Sequence, residues 1–137
     1  MKLLTLYAEK NHFLKKFVEI NDKEIIQFQS GIFEGLEVFY ENREKLLEII
    51  RYLDSDIDAE QDSLVNIDKG SKALFRDLLD QKNELVDQVL KQDLEIIDLI
   101  EMQKSQIIRE LQDIKKNQRG LSGYKLNQSS VRLDEEA

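Results

Sequence analysis

Few residues in this chain have the types and spacing to do chemistry. The single histidine, His12, stands three positions after Glu9, so Glu9 and His12 share one face of a helix. Di-iron bundles use that Glu-x-x-His unit, but they need it twice, with further inward glutamates. One histidine per chain cannot supply the second unit. Asp54, Asp56 and Asp58 invite a calcium-loop reading, but Ala59 and Val65 occupy the positions where such a loop needs its glycine and its bidentate glutamate. There is no cysteine, hence no thiolate nucleophile, disulfide or thiolate metal site. A glycine-rich phosphate loop and a Ser-His-Asp set with plausible geometry are also missing. The expectation is a protein that is not an enzyme and uses no cofactor or metal. Its work would be binding.

The elements that would present a binding surface are long helices. Ser71 to Asn117 has neither glycine nor proline, and its apolar residues return at helical spacing. Leu74, Leu78, Leu85, Val89, Ile96 and Ile100 form one line. Phe75, Leu79, Val86, Leu90 and Ile97 lie beside it, and Ile107, Leu111 and Ile114 continue it. At 1.5 Å per residue such a helix reaches about 70 Å, more than a domain of this size can cover on all sides. The line Leu74, Leu85, Ile96, Ile107 recurs every eleven residues rather than every seven, which argues for a bundle over a two-stranded heptad coiled coil.

Lys2 to Gln29 reads as the first helix, with a wide stripe of Leu3, Leu6, Tyr7, Phe13, Leu14, Phe17, Ile20, Ile25 and Phe28. Asn21 and Asp22 weaken its middle, because short polar side chains compete for backbone hydrogen bonds. Ser30-Gly31 breaks the pattern. Gly31 ends the first helix and Ser30 is expected to cap the second, with Gly35 inside its first turn. The second helix carries Leu36, Phe39, Leu46, Ile50, Leu53 and Ile57, with Arg43 an intruder whose stem runs along the apolar face. Asp54 to Gly70 is ambiguous, and Lys69-Gly70-Ser71 signals a turn and a serine N-cap. The fold class expected is all-α, an antiparallel bundle of three long helices at about 2–29, 33–60 and 71–118, with a flexible tail over 120–137.

Charged residues make up 35% of the chain and aromatics 7%, so the core must be aliphatic and spread along the helices. The net charge of −8 argues against general nucleic-acid binding. It is uneven: Asp54 to Glu101 holds fourteen acidic and five basic residues, Arg109 to Lys125 two acidic and five basic. Met1 to Leu6 is too short, and too soon followed by Glu9 and Lys10, for a signal peptide. No apolar run is long enough to span a bilayer, so membrane insertion is not expected. The lack of cysteine fits a cytoplasmic location.

Two stretches resemble the flagellar type III export chaperones of the FlgN/FliT kind. Phe28-Gln29-Ser30-Gly31-Ile32-Phe33-Glu34-Gly35-Leu36, followed by Arg43-Glu44-Lys45-Leu46-Leu47, is similar to that family's glycine-marked turn and charged, leucine-bearing second helix. Arg109 to Asp134, a basic helix end followed by Gly120, Tyr124 and a serine-containing tail, resembles its C-terminal region. The resemblance implies a cytoplasmic chaperone that holds late export substrates, such as hook–filament junction or filament cap proteins. It would deliver them to the export apparatus, with Tyr124 contacting a gate component, and act as a monomer or weak dimer. The partner-binding residues expected are Ile107, Leu111, Ile114, Leu121, Tyr124 and Leu126, facing an amphipathic helix of the substrate. The competing expectation is a structural tether that self-associates through its long helix.

Overall fold

Helix α1 (Lys2–Gln29) forms because nothing interrupts it. Proline is absent, and the helix runs unbroken through Asn21 and Asp22. The reason is tertiary: the buried Asn21 amide donates its hydrogen bond to a neighbouring helix and leaves its own backbone ladder intact. The helix ends at Ser30 and Gly31. The Ile32 N–H donates to the Gln27 carbonyl at 2.9 Å and the Gly31 N–H to the Phe28 carbonyl at 3.0 Å. Gly31 takes φ +79°. This pair of bonds around a left-handed glycine is the Schellman stop. The Ser30 hydroxyl donates back to the Ile26 carbonyl, so it belongs to the end of α1 and does not cap the next helix.

Helix α2 (Leu36–Ala59) starts three residues later than the expected Phe33, with Gly35 at its N-cap position instead of in its first turn. Phe33 is held out of the helix by stacking on Phe28, ring centroids 4.6 Å apart. Helix α2 continues through Asp54, Asp56 and Asp58, after which a 3-10 helix, η1 (Gln61–Asn66), leads to helix α3 (Lys69–Lys125).

The N-cap of α3 is Asp68, not Ser71. The Asp68 carbonyl accepts the Lys72 N–H at 2.9 Å. Its carboxylate is held below the ordinary carboxylate range, chiefly by the Ser71 hydroxyl and then by the N–H groups at the helix start. Aspartate at this position satisfies donors that have no partner inside the helix. The expected stop after Asn117 does not occur either. Helix α3 runs through Gly120 and Gly123 to Lys125. Glycine inside a helix costs only about 1 kcal/mol relative to alanine, which does not by itself end a helix.

The computed structural model describes the backbone of residues 1–125 and the side chains of 1–119. The chain is all-α, and the described residues contain no strand. It divides into two units, Met1–Leu99 and Ile100–Ala137.

In the first unit α1 and α2 pair in opposite directions. Leu3, Leu6 and Tyr7 pack with Leu53 and Ile57, while Leu14 and Phe17 pack with Leu46 and Ile50. The first part of α3 lies against both. Phe75, Leu78 and Leu79 close the first cluster and Leu85 the second. Tyr7 meets Phe75 edge-on at 5.2 Å. From η1, Leu64 covers the end of the first cluster. In the second unit the described residues are the later part of α3 alone.

Two polar layers join α1 to α3. The Asn11 amide donates to the Leu78 carbonyl at 3.0 Å and to Gln81 Oε1 at 3.3 Å. The Asn21 amide donates to Gln92 Oε1 at 3.0 Å. The Gln92 amide donates to Asp22 Oδ1 at 2.7 Å and to the Val18 carbonyl at 3.1 Å. The Oδ1 atoms of Asn11 and Asn21 are buried without a partner. Arg43 does more than run its stem along an apolar face. Its guanidinium lies 5.0 Å from the Phe17 ring and 5.2 Å from the Phe39 ring, and Nη2 donates to Asp93 Oδ1 at 2.6 Å. One planar cation thus ties α1, α2 and α3 together.

The eleven-residue line is only partly interior. Leu85 and Ile96 are buried, but Leu74 is half exposed. Leu90 and Ile97, from the line beside it, are exposed together with Leu94. They sit roughly opposite Gln92 and Ile96 around α3, because 3.6 residues make one turn.

Candidate functional site

The sequence-predicted partner residues fall on helix α3. Ile107, Leu111 and Ile114 follow one another at four and three residues, which places them on one side of the helix. They are 45%, 54% and 52% exposed, and Ile108 beside them is 55% exposed. Four branched aliphatic side chains within eight residues therefore present on the order of a few hundred Å² of apolar surface, comparable to the largest patch on a typical soluble monomer, which is often functional. For Leu121 and Tyr124 the helical backbone is described. They belong to α3, not to the expected flexible tail. Leu126, and with it the rest of the expected tail over 126–137, lies outside the described residues.

The charges around this stripe are mixed. Glu110 accepts from the Gln106 amide at 3.3 Å, and Lys104 lies 3.9 Å from Glu101. Arg109, Lys115, Lys116 and Arg119 are all exposed, as is Asp113. Such a surface offers an apolar strip flanked by both signs of charge, with the cations concentrated toward the helix end. It has the form of a helix-docking face: directional along its length, apolar along its centre.

The residues considered for chemistry are elsewhere. His12 is exposed, its ring set edge-on to Phe13 at 5.3 Å. Glu9 is also exposed. Asp54 pairs with Lys10 across the α1–α2 seam, a structural use of one member of the acidic run.

Two surface features were not visible from the sequence. One is the exposed row Leu90, Leu94, Ile97, whose spacing signals helix but not which side faces inward. The other is a shallow cleft of about 350 Å³ lined by Leu64, Ile67, Phe75 and Leu79, with Lys72 and Arg76 at its edge. Neither cation forms an ion pair among the described residues, and the cleft lies between Leu64 of η1 with Ile67 after it and the start of α3.

No helix in the described residues is long and apolar enough to cross a membrane. No known family model, curated protein or solved structure matches this chain, so a reading of its function rests on its own residues.

Proposed function

We propose that this chain is a helical holding protein, not an enzyme, which binds an amphipathic helix of a partner along α3. The partner class suggested by the sequence resemblance is a late flagellar export substrate, a hook–filament junction or filament cap protein. The chaperone would keep such a terminal helix from assembling early and pass it, in the cytoplasm, to a gate component of the type III export apparatus. In this reading the first unit is a bundle of three long antiparallel helices that serves as the rigid body. No cofactor takes part.

The observation that supports the reading is the half-exposed stripe Ile107, Leu111 and Ile114. Covering the exposed half of three such side chains is worth about 3 kcal/mol before the costs of association, since full burial of one is worth about 1.5–3 kcal/mol. That is a contribution of about a hundredfold in affinity, enough to select a helix but not to lock it.

The test is fluorescence anisotropy with a labelled C-terminal helix peptide from a hook–filament junction or cap protein. The triple variant Ile107→Ser, Leu111→Ser, Ile114→Ser is expected to lose at least tenfold in affinity with its helicity unchanged. A version lacking Gly120 to Ala137 reports whether Leu121, Tyr124 and Leu126 belong to the site. Undiminished binding by the triple variant refutes the stripe as the holding surface.

A further inference from the structure

From Ile100 onward the apolar spacing changes. Ile100, Ile107 and Ile114 recur every seven residues, and Leu111 falls four after Ile107 and three before Ile114. This is the heptad arrangement, with the isoleucines in one core row and Lys104, Leu111 and Gln118 in the other. We propose that the stripe on this segment pairs with the same segment of a second copy of the chain, in parallel and in register. The pairing goes beyond the export reading and needs no partner protein.

Three features choose the occupant and its direction. The first is the layering. In parallel register Ile107, Leu111 and Ile114 each meet their own counterparts, giving three consecutive apolar layers. An antiparallel pair centred on the same residues sets Ile107 against Leu111 twice and leaves both Ile114 side chains facing Lys104. The second is charge. In a parallel pair the flanking position of one heptad lies beside the flanking position five residues on in the partner helix. Glu110 then lies beside the partner's Lys115, and the contact occurs twice by symmetry. In the antiparallel pair the two Glu110 carboxylates approach each other instead. Both side chains are exposed, and Glu110 and Lys115 are five apart, so they do not pair within one helix. The third is the polar residues within the row. Leu111 in its row with isoleucine in the other would alone favour three or four strands; Lys104 and Gln118, on either side of Leu111 in the same row, reach water in the narrow two-stranded form and so select it, at a cost in strength. The pairing is therefore weak and reversible, and a partner helix competes with it for the same stripe.

Sedimentation velocity over a range of concentrations tests this on the full chain without any peptide. The wild type is expected to pass from monomer to dimer. E110K and K115E each place like charges side by side twice and are expected to raise the dissociation constant on the order of tenfold. The double variant E110K/K115E restores the pair with its signs exchanged and is expected to return to within about threefold of the wild type. Circular dichroism checks that all four remain helical. The chain has no cysteine, so Gln118→Cys provides a second readout: mild oxidation joins residue 118 to residue 118 only in a parallel pair. A monomer at every concentration, assemblies larger than two, no rescue by the double variant, or no cross-link in a dimer that persists each overturn the proposal. Peptide binding by a chain that remains monomeric would leave the holding function standing while removing the self-pairing.

Discussion

Replacing Gln92 with leucine tests how α3 is fixed on α1. Gln92 is 8% exposed and makes three side-chain hydrogen bonds, all to α1: from the Asn21 amide, to the Val18 carbonyl and to Asp22. Leucine fills most of the volume but forms none of them. Asp22 is exposed and regains water, so its loss is small. Asn21 is 0% exposed, and its Oδ1 already has no partner; without Gln92 its amide donor is stranded as well. A stranded buried donor costs about 1–3 kcal/mol and a lost bond about 1 kcal/mol, so the single change should cost about 3 kcal/mol. The double change Asn21→Leu with Gln92→Leu removes both halves of the pair and should recover most of that loss, because two apolar groups need no partner. The coupling between the two sites should be about 2–3 kcal/mol. Urea unfolding followed by circular dichroism measures this, with an unchanged slope showing that only the folded state was altered. A single variant within about 0.5 kcal/mol of the wild type, or a double variant as unstable as the sum of its parts, would refute the reasoning.

Other perturbations follow from the same contacts. Arg43→Lys keeps the charge but not the flat face against Phe17 and Phe39, and should cost about 1 kcal/mol in urea unfolding. Gly31→Ala meets no atom within 4 Å, so only the left-handed backbone at φ +79° resists it; the expected loss is about 1 kcal/mol. Asp68→Asn removes a carboxylate whose folded pKa lies below its unfolded value of 3.8. The stabilisation it supplies is present above that value and disappears as pH falls through the lower folded pKa. Thermal melts of the two proteins should therefore differ at pH 6 and converge as the pH drops well below 3.8.

The helices were legible because their signals are local and repeated. Periodic aliphatics over Lys2–Gln29 and Ser71–Asn117, with no proline, leave little alternative to helix. Gly31 was readable as a stop because a left-handed residue is a local requirement. Gly120 gave the same letter without the same geometry, and the helix runs on. Asn11, Asn21 and Gln92 were not readable as interior. An amide is polar in any composition count, and only a partner on a helix some seventy residues away makes its burial tolerable. Arg43 stood out as an intruder, but its partner Asp93 looked like any surface carboxylate. For the candidate site, Ile107, Leu111 and Ile114 were found by spacing. Their exposure depends on which turns of α3 the rest of the chain covers, and spacing carries no record of that.

The two amide layers also set a vernier between α1 and α3. Their anchors are ten residues apart on α1, at Asn11 and Asn21, and eleven apart on α3, at Gln81 and Gln92. Aliphatic side chains tolerate sliding: after a shift of one turn, about 5.4 Å, leucines and valines would still meet oil. The amides would not, for such a slip strands both of them at once. The long helix is thereby held at one notch, and its place along α1 is decided by two polar teeth, not by the grease around them.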